Sequence, residues 1–277
     1  MTIHSHRKKV SNSVKKALKE DIGSGDITTQ IIPIDSQCKA NLIVRNTSIL
    51  CGIDWFSKSF SLLNKNIKIN WHKKEGSQIN QDDHIATLTG PSKEILTGER
   101  TALNFLQFMS GIAFKTSLYR NKLINSKAII LDTRKTIPNL RYEQKYAVKC
   151  GGGKNHRMGL YDAILIKENH IRAAGSISNA IKTLKKNYNK RIEVEVNNLV
   201  ELEEAISSNA DIILLDNFSF ENLEKAVAIN NKRALLEVSG NIDLESIKKL
   251  AATDINYISS GDLTKNVQAA DFSLLIQ

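Results

Sequence analysis

The sequence predicts an α/β protein in two parts, a small α+β domain followed by a repeating strand–helix domain. Three observations support this. Six apolar runs in the second half each end in polar or charged residues, and helical stretches separate them. Glu195 to Asp216 and Asp216 to Glu237 are each 21 residues, one strand, one helix and two short connections. That rhythm requires parallel strands joined by right-handed crossovers.

The elements follow in chain order. Val14-Lys15-Lys16-Ala17-Leu18 has the spacing of a short amphipathic helix, stopped by Gly23 and Gly25. Residues 40–51, 67–71 and 85–89 alternate as strands do, the last ending at Gly90-Pro91. Ser92 has the composition of a helix N-cap, and 94–109 carries a long helical pattern. Strands are then predicted at 129–132, 164–167, 194–197, 213–216, 235–239 and 257–261, with helices at 175–186, 199–208, 220–230 and 243–252. Polar groups stand at every strand end. A barrel, whose strand-end loops converge on one mouth, accounts for this better than an open sheet with a single crevice.

Composition narrows the function classes. The chain has 277 residues, 41% of them hydrophobic and 25% charged, in the ordinary range for a globular protein. The net charge of +10 raises the question of nucleic acid, but the lysines fall on solvated helix faces such as 181–186, without interleaved aromatics. No nucleic-acid partner is expected. Cys38, Cys51 and Cys150 are odd in number and lack metal-type spacing, so free thiols in a reducing compartment are expected. No signal-like or membrane-length apolar run occurs, and a cytoplasmic protein is expected.

Cations are concentrated around one glycine-rich stretch. Asp132-Thr133-Arg134-Lys135-Thr136 follows an apolar run, and Gly151-Gly152-Gly153-Lys154-Asn155-His156-Arg157 comes next. Lys167 ends the following run. Charge of one sign at buried strand ends repels itself unless an anion fills the space, and arginine presents forked donors to carboxylate or phosphate. Glu195 and Asp216 form a second constellation, suited to Mg²⁺ or ribose hydroxyls, or alternatively to balancing the cations. Ser239-Gly240-Asn241 and Ser260-Gly261-Asp262 end the last two strands, where small residues let backbone N–H groups approach a phosphate. Asp262 fits there only with its carboxylate turned away. Arg100 lies mid-helix beside Glu99, outside the barrel portion.

Longer motifs carry a resemblance. DTRKT at 132–136, KYAVKCGGGKNHRMGL at 145–160, LIKENHI at 165–171 and ERTALNFLQFMSGIA at 99–113 resemble the quinolinate phosphoribosyltransferase family. DIGSGDIT at 21–28, EVEV at 193–196, LLDN at 214–217 and EVSGN at 237–241 fit it as well, in order along nearly the whole chain.

The resemblance implies an N-terminal α/β sandwich and an incomplete α/β barrel of six to seven strands, with domains at 1–110, joined by 268–277, and at 111–267. It implies transfer of a phosphoribosyl group from phosphoribosyl pyrophosphate (PRPP) to quinolinate, with Mg²⁺, in NAD biosynthesis. It further implies a homodimer, able to build a hexamer, in which Arg100 of one subunit serves the site of the other. Arg134, His156 and Arg157, with Thr133, would grip the quinolinate carboxylates. Lys135 and Lys167 would face the pyrophosphate and the substrate anion, Glu195 and Asp216 the metal and ribose, and 239–241 and 260–262 the 5′-phosphate. The chain departs from the family pattern at Phe114, Asn139 and Asp262. A family relative associated with molybdenum handling, a Schiff-base aldolase using Lys167 and a nucleic-acid binder are the rival readings.

Overall fold

The computed structural model describes residues 3–277. The elements in chain order are α1 (Ile3–Ile22), β1 (Gln37–Val44), β2 (Ser48–Ile49), α2 (Ile53–Leu63), β3 (Lys68–Trp71), β4 (Gln78–Ile79), β5 (His84–Pro91) and α3 (Ser92–Lys122). There follow β6 (Ile129–Leu131), α4 (Arg141–Cys150), β7 (Ile164–Ile166), α5 (Glu168–Ala174), α6 (Ile177–Asn187), β8 (Ile192–Val196), α7 (Leu199–Ser207), β9 (Ile212–Asp216) and α8 (Phe220–Asn230). The chain ends with β10 (Leu235–Ser239), α9 (Ser246–Leu250), β11 (Tyr257–Ser259), α10 (Asp262–Lys265) and β12 (Phe272–Ile276). Ser92 is the first helical residue of α3 rather than a residue before it, and α3 runs well past 109.

The chain divides into two compact units. One comprises Met1–Lys115, Pro138–Gly151 and Val267–Gln277; the other comprises Thr116–Ile137 and Gly152–Asn266. The dividing line therefore falls inside α3, and α4 groups with the first unit.

In the first unit, an antiparallel sheet of order β12-β1-β5-β3 joins the last strand of the chain to the first. Alternation along β1 turns Ala40, Leu42 and Val44 inward. They meet Leu88 of β5, Phe56 and Phe60 of α2, Leu103 and Leu106 of α3, and Phe272 and Leu274 of β12. Each fully buried Leu or Phe contributes about 1.5–3 kcal/mol through removal of apolar surface from water. Phe56 adds edge-to-face contacts to Phe60 at 5.1 Å and Trp71 at 5.3 Å.

The second unit is a six-stranded, wholly parallel sheet of order β6-β11-β10-β9-β8-β7. Its strands are nearly continuous apolar runs, as burial on both faces demands; Ile213, Leu215, Leu236 and Val238 are essentially without exposure. Ser176, Asn198 and Ser219 cap α6, α7 and α8 by accepting a backbone N–H of the first turn. The sheet does not close, because β6 and β7, consecutive in sequence, stand at opposite edges. On the free edge of β6 lies the segment around Lys154, whose N–H donates to Ile130 O at 2.9 Å while its carbonyl accepts Asp132 N at 3.2 Å. This incomplete barrel places residues 155–157 beside the end of β6.

Candidate active site

Asp132 positions the cationic loop. It is fully buried, and its carboxylate accepts Asn155 Nδ2 at 2.5 Å and the His156 backbone N–H at 2.9 Å. A buried carboxylate is costly unless its oxygens are paired, and here the pairing sets the chain so that the His156 ring lies against Glu193 of β8 and Glu237 of β10 while Arg157 lines the cavity. The backbone N–H of Lys135 donates to Thr133 Oγ1 at 3.0 Å, and Thr264 Oγ1 donates to the Lys135 carbonyl at 2.7 Å. Gly261 packs closely beside them: a Cβ there would lie 2.8 Å from Lys135 Cδ and would push the lysine side chain aside.

These loops enclose a cavity of about 350 Å³ at the strand ends of the second unit, large enough for small-molecule substrates. Thr133, Arg134, Lys135, His156, Arg157, Lys167, Glu195, Asp216 and Ser239 line it, together with Leu165, Leu214, Glu237 and Ser259. A larger cavity near α5 and α6, of about 740 Å³, is mainly apolar and lacks such convergent charge. Of the other residues expected at the site, Gly240, Asn241, Ser260 and Gly261 lie in the adjoining loops and Asp262 opens α10, all outside this lining. Arg100 is exposed on α3, in the first unit.

The electrostatics favour an anionic guest. Burial and the neighbouring Arg134 guanidinium hold the Arg157 pKa below its ordinary value. Lys167 and Glu195 form an ion pair with Glu195 largely buried, so Glu195 balances a cation as well as facing the cavity. Asp216, at the end of β9, accepts Asn217 Nδ2 at 2.9 Å.

His156 is engaged by the protein on both ring nitrogens. Nδ1 accepts the Arg157 N–H at 2.7 Å, and Nε2 lies 3.0 Å from Glu193 Oε2 and 3.7 Å from Glu237 Oε1. That network assigns the ring proton to Nε2. One oxygen of each of these two buried glutamates lacks a hydrogen-bond partner. Burial, then the Glu193 carboxylate, push the Glu237 carboxyl up to about 8, so it retains its proton at neutral pH. Asp132, Glu193 and Glu237 were absent from the residues expected at the site.

In the loop after β10, Gly240 has φ +106°, and a Cβ there would lie 2.2 Å from Asn217 Oδ1. Only glycine fits. Asp262 turns its carboxylate onto Tyr119 OH at 2.7 Å and Asn266 Nδ2 at 2.7 Å. Burial and that carboxylate raise the Tyr119 pKa.

Comparison with known proteins identifies the relatives of this arrangement. The chain matches the quinolinate phosphoribosyl transferase N-terminal domain over residues 26–110 and the C-terminal domain over residues 112–275. The chain belongs to the quinolinate phosphoribosyltransferase family. Its structure is similar to that of nicotinate-nucleotide pyrophosphorylase from Francisella tularensis, with 47% identity, a TM-score of 0.95, and coverage of 98% of this chain and 97% of that one. The corresponding protein of Ehrlichia chaffeensis has 39% identity and a TM-score of 0.93 over 96% of this chain and 98% of its own. A chloroplastic nicotinate-nucleotide pyrophosphorylase (carboxylating) of Arabidopsis thaliana is 39% identical over 285 residues, covering 95% of this chain and 81% of its own. The N-terminal sandwich and incomplete six-stranded barrel observed here are thus shared with these solved relatives.

Proposed function

We propose that the cavity at the strand ends binds quinolinate and PRPP together. The family reaction transfers the phosphoribosyl group from PRPP to quinolinate, giving nicotinate mononucleotide, pyrophosphate and CO₂. The observation that supports the cavity as its site is the convergence of Arg134, Lys135, Arg157 and Lys167 on one small space with carboxylates on its wall.

Arg134 and Arg157 hold the two substrate carboxylates, with Thr133 beside them. Lys135 and Lys167 face the pyrophosphate and the substrate anion. The pyridine nitrogen attacks the anomeric carbon as the bond to pyrophosphate breaks, and the Glu195 and Asp216 carboxylates stabilise the positive charge growing on the ribose. The ring nitrogen, now quaternary, accepts the electron pair released when the adjacent carboxylate leaves as CO₂. The protein's part is to align the reactants and exclude water. Ser239 and the loops 239–241 and 260–262 cradle the 5′-phosphate, with Asp262 held off it by Tyr119 and Asn266.

His156 serves this site as a positioning group, since both nitrogens are engaged within the protein. The donor set suits Mg²⁺. Glu195 and Asp216 end adjacent strands, line one cavity and offer hard oxygen ligands, the kind Mg²⁺ takes alongside substrate phosphates and water. Bound there, Mg²⁺ supplies charge neutralisation for the departing pyrophosphate.

A homodimer that can assemble further into a hexamer, with Arg100 contributed from the partner, completes the grip on quinolinate in this reading. A cytoplasmic location belongs to the same reading; no helix among the described residues is long and apolar enough to cross a membrane. Incubation with quinolinate, PRPP and Mg²⁺ should yield CO₂ and nicotinate mononucleotide. Turnover of nicotinate but not quinolinate overturns the substrate assignment. Mixed dimers of Arg100→Ala and Arg157→Ala chains should recover activity that neither parent has, and no recovery overturns the shared site.

A further inference from the structure

The first unit holds a second group of reactive side chains. Cys51 lies just before α2, Cys150 is the last residue of α4, and Glu75 lies in the turn before β4. The two sulfurs and a carboxylate oxygen all lie within 4.8 Å of one another. Cys51 is fully buried and Cys150 half-buried.

Such a cluster suits either a soft metal ion or a bond between the two sulfurs, and Glu75 decides between them. Its Oε1 accepts the Gly52 N–H at 2.9 Å and its Oε2 the Ile53 N–H at 3.1 Å, which closes the first turn of α2. Cys150 Sγ approaches Oε1 at 3.8 Å, and Tyr146 also hydrogen-bonds this carboxylate. A cation taking Glu75 as ligand would pull it from a helix N-terminus whose partial positive charge already opposes cations. A sulfur–sulfur bond leaves that cap in place.

We propose that Cys51 and Cys150 are a reversible redox site, which a low-molecular-weight disulfide closes to an intramolecular disulfide. Cys150 is the accessible partner and reacts first. As thiolate it attacks one sulfur of the reagent, whose S–S bond breaks, and one reagent thiolate leaves with the Cys150 proton. Cys51 then passes its proton to the Glu75 carboxylate and attacks Cys150 Sγ. The second reagent thiolate leaves and takes the proton from Glu75. Two protein thiols are oxidised, and one reagent disulfide is reduced to two thiols.

The microenvironment suits this order. Burial pushes the Cys51 thiol well up, which keeps it inert until a mixed disulfide forms beside it. Burial also raises the Glu75 carboxyl, making it a better proton acceptor than an exposed carboxylate. The bond closes a loop of about 100 residues, long enough to restrict the unfolded chain substantially. Cys150 also leads directly into Gly151, Gly152 and Gly153, and from there to Asn155, His156 and Arg157. Cys38, on β1 outside the cluster, serves as an internal control.

The test is to incubate the full chain with oxidised glutathione, block remaining thiols and digest without reduction. The expected product is a peptide pair joining Cys51 to Cys150, lighter by the mass of two hydrogens, abolished by dithiothreitol and accompanied by a Tm several degrees higher. Cys51→Ser and Cys51→Ala should each stop at a stable glutathione adduct on Cys150, and Cys150→Ser should leave Cys51 unmodified. A wild-type chain that accumulates the Cys150 adduct without the link overturns the proposal. So does purified protein that retains zinc, with the zinc lost in Cys51→Ser. Both readouts are independent of phosphoribosyl transfer.

Discussion

The Nε2 atom of His156 lies 3.0 Å from the buried carboxylate of Glu193, while Nδ1 of the same ring accepts the Arg157 N–H. The ring lines the cavity and is at the same time tied to the barrel wall and to the arginine that follows it. Glu237 lies beside this pair with a carboxyl pushed up to about 8 by burial and by Glu193. Between the ordinary glutamate pKa near 4.5 and about 8, the folded chain therefore binds a proton that the unfolded chain has released. Stability contributed by this group is full below the unfolded pKa and falls as pH rises toward 8. Glu237→Gln keeps the shape without the titration. Its Tm should fall less than that of the wild type between pH 5 and 8; an unchanged slope in thermal unfolding would remove Glu237 as the source.

Asp132 should matter beyond its own burial. Asp132→Ala takes away the buried acceptor of Asn155 Nδ2 and of the His156 backbone N–H, at about 1.5–3 kcal/mol for each hydrogen bond to the charged group. It also frees Arg157 from its register, and small misplacements of this kind cost on the order of 10²-fold in kcat/KM. Denaturant unfolding and steady-state kinetics measure the two losses separately. Lost stability with unchanged kcat/KM would confine Asp132 to a structural role.

Arg157→Ala removes a half-buried guanidinium from the cavity wall. Loss of a charged partner of a bound anion costs about 2–5 kcal/mol. The fall should appear in kcat/KM for quinolinate, with a smaller change in KM for PRPP. A loss confined to PRPP would reverse the assignment of the two substrates within the cavity.

Much of this molecule is legible in the chain because parallel strands leave a strong imprint. The apolar runs that end at Asp132, Lys167, Asp216 and Ser239 are each a barrel strand or extend one residue beyond it; Lys167, Asp216 and Ser239 line the cavity, and buried Asp132 holds the loop that does. Glu193 was overlooked for a local reason. In EVEV it shares a strand face with Glu195 through the two-residue period, yet only the outer member was read as functional. Glu237 enters the sequence pattern through its spacing from Asp216, yet a carboxylate inside the apolar run LLEVS is itself a signal of a buried functional group. The resemblance joins 268–277 to the first domain, but no local pattern reports strand β12 there, because its partner β1 lies almost the whole sequence away. Helix α4 went unread because only Ala147 and Val148 of its ten residues are buried apolar side chains; Glu143, Gln144 and Lys145 are buried with them.

Tyr119 and Asp262 make the last prediction. An aspartate beside a phosphate loop repels its ligand unless its charge is engaged elsewhere, and Tyr119 OH holds Asp262 Oδ2 at 2.7 Å. Tyr119→Phe removes that donor while keeping the buried ring, and Asn266 still donates to the other carboxylate oxygen. KM for PRPP should rise several-fold, with KM for quinolinate little changed. Adding Asp262→Ala should cancel the effect, because the charge that the tyrosine restrains is gone. The two substitutions then show a coupling that independent sites lack. Additive effects in the double mutant would mean that Tyr119 acts through packing alone.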